Sequence, residues 1–271
     1  MVKCYRKTIS LSEAWVSSSE RLSDFYASSW QRGDSPVPLL VVRLALVTAA
    51  IAVLCWSLVE GWNVRWLLFL TNWGLLLVTM MLLSGVLVSF VAVCKSSSVS
   101  ETSEVPWYVS MYWLLFNIAV SVSLLITALY WILLYDPDMA DIEPRMFWLD
   151  VATHGINSCL AIAEVVASRT PVRILHFYQP LGVGIWYAVF TAIYYAAGGT
   201  DGAGSPFIYA VLDWRYGWRT TALVASSLAG LIVVYAVLWL LALCRDKISL
   251  DLIRTVSHDL PIVPDSLSRI V

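Results

Sequence analysis

Charge is what this sequence has least of. Asp, Glu, Lys and Arg make up 13% of its 271 residues while 59% are hydrophobic, against about a quarter charged and half apolar in a soluble domain. That shortage argues against a water-soluble globular class before any motif is read. A net charge of −2 without a basic patch leaves nucleic acid outside the expected partners. The five cysteines form no CxxC pair and have no metal-type spacing with the three histidines. Neither a metal, another cofactor nor a structural disulfide is therefore expected. Asn-x-Ser/Thr sequons are absent, and residues 1–37 lack the apolar core of a signal peptide, so no cleavage is expected there.

Long apolar runs fill the space that charge leaves. Six of them, at about 38–58, 66–92, 109–135, 148–168, 174–197 and 221–244, reach the roughly 20 residues that cross a hydrocarbon core. Trp66, Trp73, Trp107, Trp113, Trp131 and Trp148 gather near run ends, as an interfacial aromatic belt does. The pattern predicts an all-α, six-transmembrane-helix bundle over 38–244. A polar N-terminal arm (1–37) precedes it and a polar tail (245–271) follows. In the arm, Leu11, Trp15, Leu22, Phe25 and Tyr26 line one side of an interfacial helix or are scattered over a solvated segment. With the N-terminus cytoplasmic, twelve of the seventeen Lys and Arg fall on the inner side and four on the outer, which places both termini inside. The longest outer loop, 198–220, is glycine-rich and then aromatic, a candidate contact surface for a protein partner.

The run at 148–168 is apolar yet carries Asp150, His154, Asn157 and Glu164. An ionisable group inside hydrocarbon is expensive and reads first as functional. Asp150, His154 and Asn157 share one helical face at i, i+4 and i+7. Thr71 is five residues past Trp66 and His154 six past Trp148, so both lie ~8–9 Å below the outer boundary on helices running the same way. A threonine hydroxyl becomes a nucleophile when a base removes its proton, and histidine is the natural base near neutral pH. Asp150 would orient the imidazole and Asn157 donate to an oxyanion, with Asn72 and Asp213 as looser supporting candidates. Each also has a structural reading: Thr71 bonding a carbonyl on its own helix, the asparagines joining helices, His154 packed and satisfied. Arg43 and Glu164 both lie near the cytoplasmic side, and an ion pair between them relieves two costly charges; snorkelling of Arg43 is the alternative. His176 and His258 read as bland.

Phe69-Leu70-Thr71-Asn72-Trp73, Tyr130-Trp131 and His154-Gly-Ile-Asn157-Ser resemble the rolling stone family. Further marks are Glu164, Ser168-Arg169, Pro171, His176, Tyr194-Tyr195 and Ile208-Tyr209 through Asp213-Trp214, over about residues 60–245. The resemblance implies a multi-pass plasma-membrane protein linked to myoblast fusion. More distantly, the chain is similar to the androgen-induced and androgen-dependent TFPI-regulating proteins. Those hydrolyse fatty acid esters of hydroxy fatty acids with an intramembrane Thr and His, which match Thr71 and His154. The surroundings depart from the hydrolases, notably at Thr71-Asn72-Trp73. Two readings follow: a hydrolase whose lipid ester enters sideways from the membrane, and a non-enzymatic protein of cell–cell fusion or adhesion. Transport is weaker, since no other helix carries comparable midplane charge and no broken-helix pair is evident.

Overall fold

A computed structural model describes residues 21–61, 63–95, 105–201 and 203–254. Cys4, Leu11, Trp15, His258 and the tail beyond 254 lie outside the described residues. The chain forms α1 (Val37–Gly61), α2 (Leu70–Lys95), α3 (Trp107–Leu129), short α4 (Met139–Ile142), α5 (Pro144–Val151), α6 (Asn157–Ala167), α7 (Tyr178–Ala196) and α8 (Gly217–Ser249). Apolar residues with few breakers carry each long helix. Among the described residues there is no β-strand beyond one isolated bridge, Ser28 to Ser168.

Four segments, Val37–Gly61, Leu70–Lys95, Trp107–Leu134 and Trp214–Ile253, are long and apolar enough to cross a membrane. Their surfaces are inverted relative to a soluble protein. Val41, Leu83, Phe90 and Val237 point outward, while Asn117, Ser121, Ser89 and Arg43 are buried. Apolar exposure on this scale marks a lipid-facing surface; the protein is a multi-pass membrane protein. The runs expected at 148–168 and 174–197 fold as α5–α6 and α7. The first is interrupted by a π turn at Ala152–Ile156.

The helix α3 is the axis of the bundle, packing against α2, α6, α7 and α8. Its Asn117 amide donates to Gln179 Oε1 at 2.9 Å and lies 3.1 Å from His176 Nδ1. His176, read as bland, is fully buried against the Trp113 ring. On α8, Gly230 packs against α3: a Cβ there would sit 3.5 Å from Leu125 Cδ1, at ordinary van der Waals distance.

Arg43 and Glu164 meet at one end of the bundle with no exposure. Arg43 Nε and Nη2 donate to Glu164 Oε1 at 3.0 and 2.7 Å. Nη1 donates to the Phe25 and Gly85 carbonyls and to Ser89 Oγ, and Nη2 also to Tyr112 Oη. Snorkelling is thereby ruled out: the guanidinium is stitched to four elements. Gly85 makes the room, since a Cβ there would lie 3.1 Å from both Arg43 Nε and Tyr112 Cε2.

Within the described part of the N-terminal arm, residues 25–29 pack into the bundle, while Trp30 and residues 32–35 are exposed. Phe25, Ala27 and Ser29 are fully buried. Ser29 N–H donates to the Ala167 carbonyl and Arg169 N–H to the Ala27 carbonyl. Polar composition hid this because backbone groups and the Ser28 and Ser29 hydroxyls, bonded to the Ala167 and Ser168 carbonyls, make contacts that leave no apolar pattern. The boundary expected at 245 also shifts. The Arg245 guanidinium is buried on the Val165 and Thr170 carbonyls at 2.8 and 3.1 Å, so α8 runs on to Ser249, whose hydroxyl donates to the Ser29 carbonyl.

Candidate functional site

At the opposite end of the bundle, the chain enters α2 through a 3-10 turn at Trp66–Leu68 and an extended Phe69. The helix therefore starts at Leu70, later than the apolar run, and Thr71 stands in its first turn. Asn72 fastens this entry: its amide donates to the Trp66 carbonyl at 2.6 Å, and Trp66 Nε1 donates to Ser57 Oγ at 3.2 Å. Asn72 thus holds the α1–α2 connection and leaves Thr71, one position earlier, to face inward.

His154 lies in the π turn between α5 and α6. One extra residue per turn frees a carbonyl, and Thr127 Oγ1 on α3 donates to that of His154. Ser158 Oγ, one turn on, donates to the Ser123 carbonyl at 2.9 Å. A second π turn, Tyr130–Leu134, closes α3 alongside. It stacks the Tyr130 ring on the His154 imidazole with centroids 3.8 Å apart and planes 6° from parallel. Paired π turns are rare and concentrate at functional sites.

Asp150 links the two rings. Tyr130 Oη donates to its Oδ2 at 2.9 Å, and its Oδ1 lies 3.9 Å from His154 Nε2. The second distance exceeds a hydrogen bond, but the charge still faces the imidazole. His154 is 6% exposed, and its Nδ1 is buried without a hydrogen-bond partner.

Thr71 and His154 line one cavity of about 120 Å³, together with Tyr130, Tyr187 and Tyr209. Leu125, Leu129, Leu133 and Leu228 are among the apolar side chains that make up most of its remaining wall. Among the described residues, no Asp, Glu, Lys or Arg lines it. Its polar groups converge at one end. Leu70 N–H donates to Tyr209 Oη at 3.0 Å, Thr71 approaches the same oxygen, and Tyr187 Oη donates to the Leu68 carbonyl at 2.8 Å.

Tyr209 comes from the loop after α7, and the loop folds back for local reasons. Gly198 takes the left-handed conformation at φ 76° just past the helix, as a C-terminal cap requires. Asp201 Oδ1 accepts from the Ala203 and Ser205 N–H groups at 2.8 and 2.7 Å. Ile208 is then buried and Tyr209 meets the Phe69 ring edge-on at 5.6 Å.

Of the residues singled out from sequence, Thr71, His154 and Asp150 come together. Asn157 is buried beside Gly74 on α2, with its Nδ2 4.0 Å from a Cβ built there, and it does not line the cavity. Asp213 is turned away onto Arg215, with Oδ2 2.7 Å from Nη2 and 3.0 Å from Nε. The Arg215 hydrogen bonds hold its carboxyl below the usual carboxylate range. Tyr130, Tyr187 and Tyr209 were not proposed for the site; the Tyr130-Trp131 helix end was the one available cue.

A family model described as "Protein rolling stone" matches residues 1–259. The Drosophila melanogaster "Protein rolling stone" is 31% identical over 205 residues, which cover 72% of this chain and 73% of that protein. No solved structure matches.

Proposed function

The chain belongs to the rolling stone family, and from that premise we propose that it is an intramembrane lipid-ester hydrolase with Thr71 as nucleophile and His154 as base. One observation carries the reading: both residues line a single, largely apolar cavity.

Six spans complete the proposed topology. The consecutive segments from Pro144 to Ala167 reach about 36 Å, and the 19 residues of α7 about 28 Å, at 1.5 Å per residue; the hydrocarbon core is about 30 Å. The Lys and Arg distribution then puts both termini in the cytoplasm and the cavity beneath the exoplasmic surface of the plasma membrane. Leu133 and Leu134, 41% and 37% exposed, stand at its mouth, so a lipid ester enters sideways.

In the reaction, Thr71 Oγ1 attacks the ester carbonyl carbon and its proton passes to His154 Nδ1. Asp150 stabilises the imidazolium across the ring. Collapse breaks the acyl–oxygen bond, and the departing alkoxide takes the proton from His154. Water then attacks the acyl-threonine with His154 again as base, releasing the fatty acid and restoring the hydroxyl. A fluorophosphonate probe is expected to label the wild type but neither Thr71→Ala nor His154→Ala. Equal labelling of all three, or none, counts against the reading.

A second reading, a non-enzymatic role in cell–cell (myoblast) fusion or adhesion, draws on Tyr216 and Trp218 near the end of the 198–220 loop, 60% and 87% exposed. It requires that replacing the loop abolish fusion while Thr71→Ala and His154→Ala leave it intact.

A further inference from the structure

With Asn157 away from the cavity, the hydrolase reading has no group for the oxygen on which charge develops. Such an oxygen needs preorganised donors in a water-poor site, and backbone N–H groups serve well. The first turn of a helix carries N–H groups with no partner inside the helix, at the positive end of its dipole. In α2 these include Leu70 and Thr71, and both line the cavity. The oxygen they address is the Tyr209 hydroxyl, with Leu70 N–H donating to it at 3.0 Å and Thr71 beside it. Independently, the His154 ring lines the same cavity with Nδ1 buried and unpartnered. A pair of backbone donors and the His154 imidazole therefore share one largely apolar chamber, in which no described Asp, Glu, Lys or Arg stands to neutralise a phosphate or a free carboxylate.

We infer that the Leu70 and Thr71 amides form the subsite for the carbonyl oxygen of an uncharged, long-chain lipid ester, and that the Tyr209 hydroxyl keeps that place until ligand displaces it. The inference deepens the hydrolase reading and rests on it for the meaning of the carbonyl. It makes Tyr209 a specificity-determining residue: only a ligand whose oxygen replaces the phenol's on the amides gains from entering. A pure hydrocarbon of equal length has no such advantage.

The test uses full-length protein in phosphatidylcholine nanodiscs and two photo-crosslinkable probes of equal chain length, a diazirine-bearing methyl ketone and the corresponding alkane. The readout is the ratio of ketone to alkane labelling of cavity peptides. In Tyr209→Phe the ring stays and the competing hydroxyl goes, so the ratio is expected to rise about two- to tenfold, the worth of one neutral hydrogen bond. Leu70→Pro removes one donor where proline suits the helix: Leu70 is the first residue of α2, and Phe69 is already extended at φ −88°, ψ 129°. There the ratio is expected to fall. Tyr235→Phe, which loses its bond to the Arg173 carbonyl away from the cavity, is expected to leave the ratio unchanged.

An unchanged ratio in both Tyr209→Phe and Leu70→Pro overturns the subsite, as does a rise in Tyr235→Phe matching that in Tyr209→Phe. If Tyr209→Phe fails to fold, Leu70→Pro decides alone. The two proposals fail separately. A Thr71-independent fluorophosphonate signal sinks the hydrolase and leaves the ketone preference standing, whereas a flat ratio with Thr71-dependent labelling sinks only the subsite.

Discussion

The bundle has polar clusters at both ends, and both hold buried atoms without a hydrogen-bond partner, Glu164 Oε2 among those at one and His154 Nδ1 at the other. Space is what separates them. Around Glu164 the chain is packed shut, and Arg43, Tyr112 and Ser89 are consumed by one another. Around His154 a cavity remains, bounded by two π turns and a folded-back loop. A buried charge inside packed walls is architecture; an unpaired imidazole nitrogen on a residue that borders a cavity is available for chemistry.

Removing one partner of the closed cluster should have the largest effect. Arg43→Met strands the Glu164 carboxylate, and breaking a buried pair from one side costs about 3–5 kcal/mol. A large drop in thermal stability in detergent is expected, and Arg43→Met with Glu164→Leu should recover part of it. A double variant no more stable than either single one would show that the pair is not the unit of stability.

At the open cluster the effects should fall on turnover. His154→Ala is expected to lower ester hydrolysis by about 10²–10⁴-fold, the usual contribution of a positioned base, and Thr71→Ala, which removes the nucleophile, by at least as much. Thr71→Ala should change unfolding stability by under about 1 kcal/mol. Equal losses of fold and turnover would erase the contrast between the two ends.

Tyr130→Phe tests the link between Asp150 and His154 within the open cluster. It keeps the ring on His154 but loses the bond to Asp150, so a two- to tenfold loss of rate is expected from about 0.5–1.5 kcal/mol. No change would mean that Asp150 is oriented by other groups.

The smallest effect lies in the loop. The native pKa of Asp213 is depressed by Arg215. Its stabilisation is therefore present above the unfolded carboxylate value, about 3.9, and is lost as pH falls through the lower native one. Proteolysis of the 198–220 loop should accelerate over that acid range in wild type, and Asp213→Asn should flatten the dependence.

How much of this was legible in the chain depended on the interaction. Continuous apolar runs gave the helices, because hydrocarbon demands length and composition and little else. Arg43 and Glu164 could be paired by counting from their helix ends, since two charges at one depth have few alternatives. The shared depth of Thr71 and His154 was likewise readable, although the register that α2 adopts was not. Arg245 read as a boundary because a buried arginine satisfied by carbonyls leaves no trace in residue types. Tyr209 was recognisable as part of a family pattern but not as a neighbour of Thr71. Its placement depends on the Gly198 and Asp201 turns, and one sequence does not encode where a long loop lands. The π turns were invisible for the same reason: one inserted residue changes no composition.

The Arg43–Glu164 bond also has a consequence in time. The two residues are 121 positions apart, so at ~5–20 residues per second of synthesis roughly 6–24 s pass between their emergence from the ribosome. During that interval α1 holds a cation with no counter-ion, and a bare arginine at membrane depth is poorly tolerated. The Gly85 carbonyl and Ser89 hydroxyl of α2 and the Tyr112 hydroxyl of α3 are made earlier, so the Arg43 guanidinium gathers neutral partners first and its counter-charge last.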